Sequence, residues 1–144
     1  MPAVGTKILV IEDESDVRIY IANLLRSHGY EPIAAGNADQ SLAAARREQP
    51  GLIVLDAMLP DDQAQAIYTA LKSDPLLRRI PVVLLASITR RALDGSRLYA
   101  TGSGKKRLPE PDAFLSKPPE AEDFLAAVNR LAAPTAEIPP KGGP

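Results

Sequence analysis

Three short stretches of the chain are apolar on both of the faces a strand would present: residues 7–11 (KILVI), 52–56 (LIVLD) and 81–86 (PVVLLA). Aliphatic, β-branched runs of this length without polar alternation predict strands buried on both faces. Two weaker runs join them, residues 31–35 (EPIAA), interrupted by Pro32, and residues 113–116 (AFLS). Between the runs the apolar period lengthens to that of a helix. In SDVRIYIANLLRSHGY, Val17, Ile21, Leu24 and Leu25 fall at i, i+4, i+7 and i+8, with Ser15 as N-cap and Gly29 as C-terminal stop. Asn37 caps a second helix, ADQSLAAARREQ, which Pro50-Gly51 ends. A third helix over roughly 63 to 72 is broken by Asp74-Pro75. A closing helix runs from about Glu120 to Leu131, with Phe124, Val128 and Leu131 on one face.

Strands apolar on both sides that alternate with helices predict an α/β fold, a doubly wound parallel sheet of five strands. Right-handed crossovers leave few arrangements, one of which is the flavodoxin-like order 2-1-3-4-5. Ligands of such sheets bind at the carboxyl ends of the strands, beside the point where the winding reverses between the first and third strands.

Composition narrows the chemistry. The 144 residues suit one domain, expected over residues 5–132, and net charge is −1 from 17 basic and 18 acidic residues, which gives no global attraction to nucleic acid or an anionic membrane. No cysteine is present, so disulfides, thiolate nucleophiles and cysteine zinc sites are excluded, and one histidine cannot build a histidine metal cluster. That residue, His28, falls in the last turn of a helix, a surface position that favours a cation. The N-terminus lacks a signal-peptide pattern and no apolar run reaches membrane-spanning length, so a cytoplasmic location is expected. Residues 133–144, rich in proline and glycine, read as a flexible tail or a linker cut short.

Candidate chemistry sits where the strong strands end. Glu12 and Asp13 close the first strand and Asp56 closes the third. In the 2-1-3 order these acids meet at one edge of the sheet, where like charges in a partly desolvated site disfavour ionisation. A hard divalent cation resolves the conflict, and Mg²⁺ suits one or two carboxylates with retained waters that phosphate can replace. Lys117 follows the last strand and is either a structural counter-ion or a ligand for phosphoryl oxygens; spacing alone leaves both open.

Taken in order, KILVIEDE, LIVLDAMLP, IPVVLLAS and FLSKP are similar to the receiver domain of bacterial two-component response regulators, over about residues 5 to 132. The resemblance implies a phosphorelay role in signal transduction, in which Asp56 takes a phosphoryl group from a histidine kinase or phosphotransfer protein. It further implies Mg²⁺ held by Asp13, Asp56 and the backbone carbonyl of Met58, with Glu12 acting through water. Lys117 would contact the phosphoryl group, and the Lys117-Pro118 bond would be cis. No enzymatic turnover is implied beyond self-phosphorylation and self-dephosphorylation.

The chain departs from the family pattern at several places. The switch hydroxyl at the end of the fourth strand falls by gapless alignment on Ala86, with Ser87 one place later; in a strand, neighbouring side chains face opposite ways. The switch aromatic is Phe114, which has no hydroxyl. Ala64 stands near a customary glycine, and Asp61 and Asp62 read as solvated residues at a helix start. The segment from Ser87 to Asp112 is longer than usual and is cut by Gly95, Gly102 and Gly104. Together with the last helix it is the expected surface for a downstream protein, and Lys105-Lys106-Arg107 would contact an acidic partner or form a solvated loop. GSGKK fails as a phosphate loop, because Lys106 stands where Ser or Thr is needed. Two alternatives to a phospho-accepting receiver remain: a pseudo-receiver that docks proteins without phosphorylation, and a phosphate-ester hydrolase using an Asp56 phosphoryl intermediate. The second lacks an evident general acid. No DNA-binding helix pair is present, so direct contact with nucleic acid is not expected.

Overall fold

The structure is a computed structural model that describes residues 5–89, 91–92 and 108–132. Five parallel strands, β1 (Lys7–Ile11), β2 (Glu31–Ala35), β3 (Leu52–Asp56), β4 (Val82–Ala86) and β5 (Ala113–Ser116), form one sheet in the order β2-β1-β3-β4-β5. The described helices are α1 (Ser15–Ser27), α2 (Ala38–Glu48), α3 (Gln63–Ser73) and α4 (Ala121–Leu131). The expected strand order is therefore observed.

Alternation along the strands sorts the core into two layers. Leu9, Ile11, Ile53, Leu55, Val82 and Leu84 share one cluster with Ala44, Ala45, Ile67, Tyr68 and Leu71 from α2 and α3. Ile8, Val10, Leu52, Val54, Val83 and Leu85 share the other with Ile21 and Leu25 from α1 and Phe124 and Val128 from α4. The absence of polar alternation in the three strong runs thus has a physical cause, since both faces of β1, β3 and β4 are covered. Pro32 is tolerated because β2 is an edge strand, where one side of the ladder needs no donor.

Several boundaries shift. Ser15 is the first residue of α1 rather than its cap; Glu14, in an extended conformation, is the N-cap and its side chain caps nothing. Asn37 does cap α2, its Oδ1 accepting from the Gln40 amide at 2.8 Å. Gln49 leaves that helix as a left-handed C-cap, φ 48°. Asp61 and Asp62 are exposed, as expected, yet both are left-handed, φ 58° and 57°, a conformation that side-chain-bearing residues seldom adopt. His28 is exposed. Gly95, Gly102, Gly104, Lys105-Lys106-Arg107 and the 133–144 tail lie outside the described residues, as does most of the 87–112 connection.

Candidate functional site

Because all strands run parallel, the residues that follow them gather at one edge of the sheet. Ile11 pairs with Leu55, so Glu12 and Asp56 stand at the same level on neighbouring strands. Ala86 pairs with Ser116, so Lys117 leaves β5 beyond the end of β4 and reaches across it toward Asp56. The Lys117-Pro118 peptide bond is cis.

One carboxylate oxygen from each of Glu12, Asp13 and Asp56 can be chosen so that all three lie within 4.8 Å of one another. Glu12 and Asp56 are buried, while Asp13 is exposed. Asp56 is held at both oxygens: Oδ1 accepts from the Met58 amide at 2.8 Å and Oδ2 from Lys117 Nζ at 2.8 Å. Glu12 is held at one only. Its Oε2 accepts from the Glu14 amide at 3.0 Å and lies 3.3 Å from Lys117 Nζ, whereas its buried Oε1 has no partner. Burial, opposed by the Glu14 amide and reinforced by Asp56, pushes the Glu12 carboxyl up to about 7.

Lys117 is the hub of the site. Besides Asp56 and Glu12 it contacts Glu14 Oε1 at 2.6 Å, while its own side chain is 9% exposed. Burial by itself lowers an ammonium pKa, but the hydrogen bonds to Asp56 and Glu14 more than offset this and hold Lys117 above its ordinary range. The turn beneath is braced from α1: Arg18 Nη1 donates to the Glu12 carbonyl at 2.9 Å, and Tyr20 Oη donates to the Pro119 carbonyl at 3.0 Å.

The acids and lysine singled out in the sequence are thus brought together. Ala86 is buried at the end of β4, and Ser87 is exposed in the bend after it. Phe114 is half-buried on β5 and lines an open depression of about 500 Å³ with Asp112, Leu115, Asp123, Ala127 and Arg130. Sequence reasoning did not single out Glu14, Arg18 or Tyr20. Only the position of Glu14 directly behind the acidic pair could have drawn attention to it. Contacts such as Tyr20 to Pro119, 99 residues apart, leave no local pattern.

The donor set fits a hard cation on its own chemistry: three carboxylates, no nitrogen or sulfur ligand, and an orphaned Glu12 oxygen that a metal-bound water would satisfy. Among the described residues no helix is long and apolar enough to cross a membrane.

Comparison with known proteins gives a consistent result. The sequence model of the response regulator receiver domain matches residues 8–129. The phosphate regulon transcriptional regulatory protein PhoB of Klebsiella pneumoniae is 31% identical over 125 residues, 87% of this chain and 51% of that protein. The response regulator PleD of Caulobacter vibrioides is 34% identical over 128 residues, 88% of this chain and 26% of that protein. The chain thus spans about half the length of one relative and about a quarter of the other. Among solved structures, the receiver domain of a sensor histidine kinase from Pseudomonas aeruginosa PAO1, described with a magnesium ion coordinated in its active site cleft, superposes with a TM-score of 0.73 at 21% identity. The match covers 88% of this chain and 97% of that one.

Proposed function

The chain belongs to the response regulator receiver domain family, and from that premise we propose that it accepts a phosphoryl group on Asp56 from a histidine kinase or phosphotransfer protein, with Mg²⁺ bound by the neighbouring acids. The observation that carries this reading is the arrangement of Asp56: buried, held at both oxygens, and in contact with the ammonium of Lys117. Asp13, Asp56 and the Met58 carbonyl would hold the ion, with Glu12 acting through water. The ion would supply neutralising charge for the acids and for the phosphoryl oxygens.

An ionised carboxylate is a weak nucleophile, so the work of the chain is positioning and charge stabilisation. An Asp56 oxygen attacks phosphorus, a new P–O bond forms, and the bond from phosphorus to the donor breaks as its leaving group departs with the electron pair. Lys117 donates to the phosphoryl oxygens and stabilises the charge on them. The Met58 amide fixes the carboxylate plane through Oδ1. The acyl phosphate adds roughly 1.5 to 2 negative charges and new acceptor oxygens, which recruit nearby donors. The Ala86 side chain has no donor to offer, so Ser87 would supply the hydroxyl. Phe114 and the depression beside α4 are the place where a change at the site would reach a downstream protein.

Intact mass after incubation with Mg²⁺ and acetyl phosphate tests the reading. One phosphoryl group on the wild type and none on Asp56→Asn is the expected result. No addition to a folded, Mg²⁺-binding wild type would favour the docking module that works without phosphorylation, which the missing hydroxyl at Ala86 already suggests.

A further inference from the structure

An ammonium has three N–H donors, and the structure gives Lys117 three carboxylate partners: Glu14 Oε1 at 2.6 Å, Asp56 Oδ2 at 2.8 Å and Glu12 Oε2 at 3.3 Å. Three carboxylates therefore compete for the donors of one ammonium. Phosphoryl oxygens arriving at Asp56 require at least one of those donors, so a carboxylate must yield. Glu12 and Asp56 have fully buried side chains and keep Lys117 at the site from within. Glu14 is the outer partner, with a side chain 60% exposed, yet it makes the shortest of the three contacts.

Its main chain is fixed beside the site. Glu14 is the N-cap of α1, its amide donates to Glu12 Oε2, and its carbonyl accepts from the Arg18 amide at 2.9 Å. We propose that Glu14 is a positioning residue acting through Lys117: its carboxylate occupies an N–H donor that the phosphoryl group needs, and so slows phosphorylation of Asp56. The inference rests on the phospho-accepting reading above. Lys117 does not depend on Glu14 to stay in place, because two buried carboxylates already hold it. Removing Glu14 therefore frees a donor without losing the cation. In the transfer itself, the P–O bond to the acetate of acetyl phosphate breaks as the P–O bond to Asp56 forms. Acetate leaves as the anion, so no proton has to move.

The test is the rate of phosphoryl uptake by the full chain in saturating Mg²⁺, followed by intact mass, for wild type, Glu14→Gln and Glu14→Asp. Glu14→Gln should be faster by at least about threefold. The gain should persist in high salt, where repulsion of the donor through solvent is screened but a direct contact is not. Glu14→Asp keeps the charge and shortens the reach by one methylene, so it should show most of the same gain. Equal or slower uptake by a folded Glu14→Gln, a gain that vanishes in high salt, or a Glu14→Asp indistinguishable from wild type each overturns the competition while leaving the receiver reading intact. If wild type and both variants are folded by circular dichroism and none is phosphorylated, the receiver reading itself has failed and this inference falls with it.

Discussion

Burial acts hardest on Glu12. Its side chain is fully buried, one oxygen has no partner, and its carboxyl is pushed from an ordinary 4.5 up to about 7, first by desolvation. In the unfolded chain no such burial exists, so the folded state binds this proton more tightly. The resulting stabilisation is complete below about 4.5, declines as pH rises through the interval and is lost above about 7. In EDTA, the Tm should therefore fall between about pH 4.5 and pH 7, and Glu12→Gln should flatten that fall. An unchanged slope in the variant would remove Glu12 as its cause. The left-handed Asp61 is a second strained point. An exposed L-residue there costs about 1 to 2 kcal/mol that glycine avoids, against a greater loss of chain entropy. Asp61→Gly should raise stability by about 0.5 kcal/mol in urea titration; a clear loss would show that the turn is held by something other than tolerance of φ 58°.

At the scale of elements, the helix starts differ in how they are secured, and the sequence conveyed the difference only in part. Asn37 caps α2 through its side chain, so Asn37→Ala should cost about 1 kcal/mol in chemical denaturation. A cost near zero would mean that α2 is held by Ala44 and Ala45 in the core alone. The start of α1 reads equally well from Ser15, but the cap falls on Glu14, whose carboxylate is drawn away to Lys117. Local preference was legible there; the competing long-range contact was not, because a lysine 103 positions away leaves no periodic trace. The strands were legible for the opposite reason. Burial on both faces removes alternation, and that absence is visible in KILVI, LIVLD and VVLLA. Pro32 obscured β2 in the sequence, and its edge position explains why the strand forms regardless.

For the molecule as a whole, one topological fact makes the site: parallel strands in the order 2-1-3-4-5 deliver Glu12, Asp13, Asp56 and Lys117 to one edge, although they are spread over 106 positions of chain. That convergence could be argued from the sequence because right-handed crossovers restrict the order. The state of each side chain within it could not, since the orphaned Glu12 oxygen and the three carboxylates around Lys117 depend on distances and not on spacing. The convergence also has a cost to the fold, because three carboxylates share one edge with one ammonium. An ion that binds the folded chain and not the unfolded one stabilises it by mass action, by about 2.7 kcal/mol at a hundred times its Kd. For a chain of this size each kcal/mol corresponds to about 3 °C, so saturating Mg²⁺ should raise the Tm by about 8 °C at neutral pH. Asp13→Asn removes an exposed ligand without opening the core, and should abolish most of the rise while leaving the Mg²⁺-free Tm equal or higher, because one repulsion is gone. A wild-type Tm indifferent to Mg²⁺ would mean that Lys117 balances the acids and that the edge is a closed ion-pair network rather than a metal site, whereas a rise retained in Asp13→Asn would mean that the ion is held without Asp13.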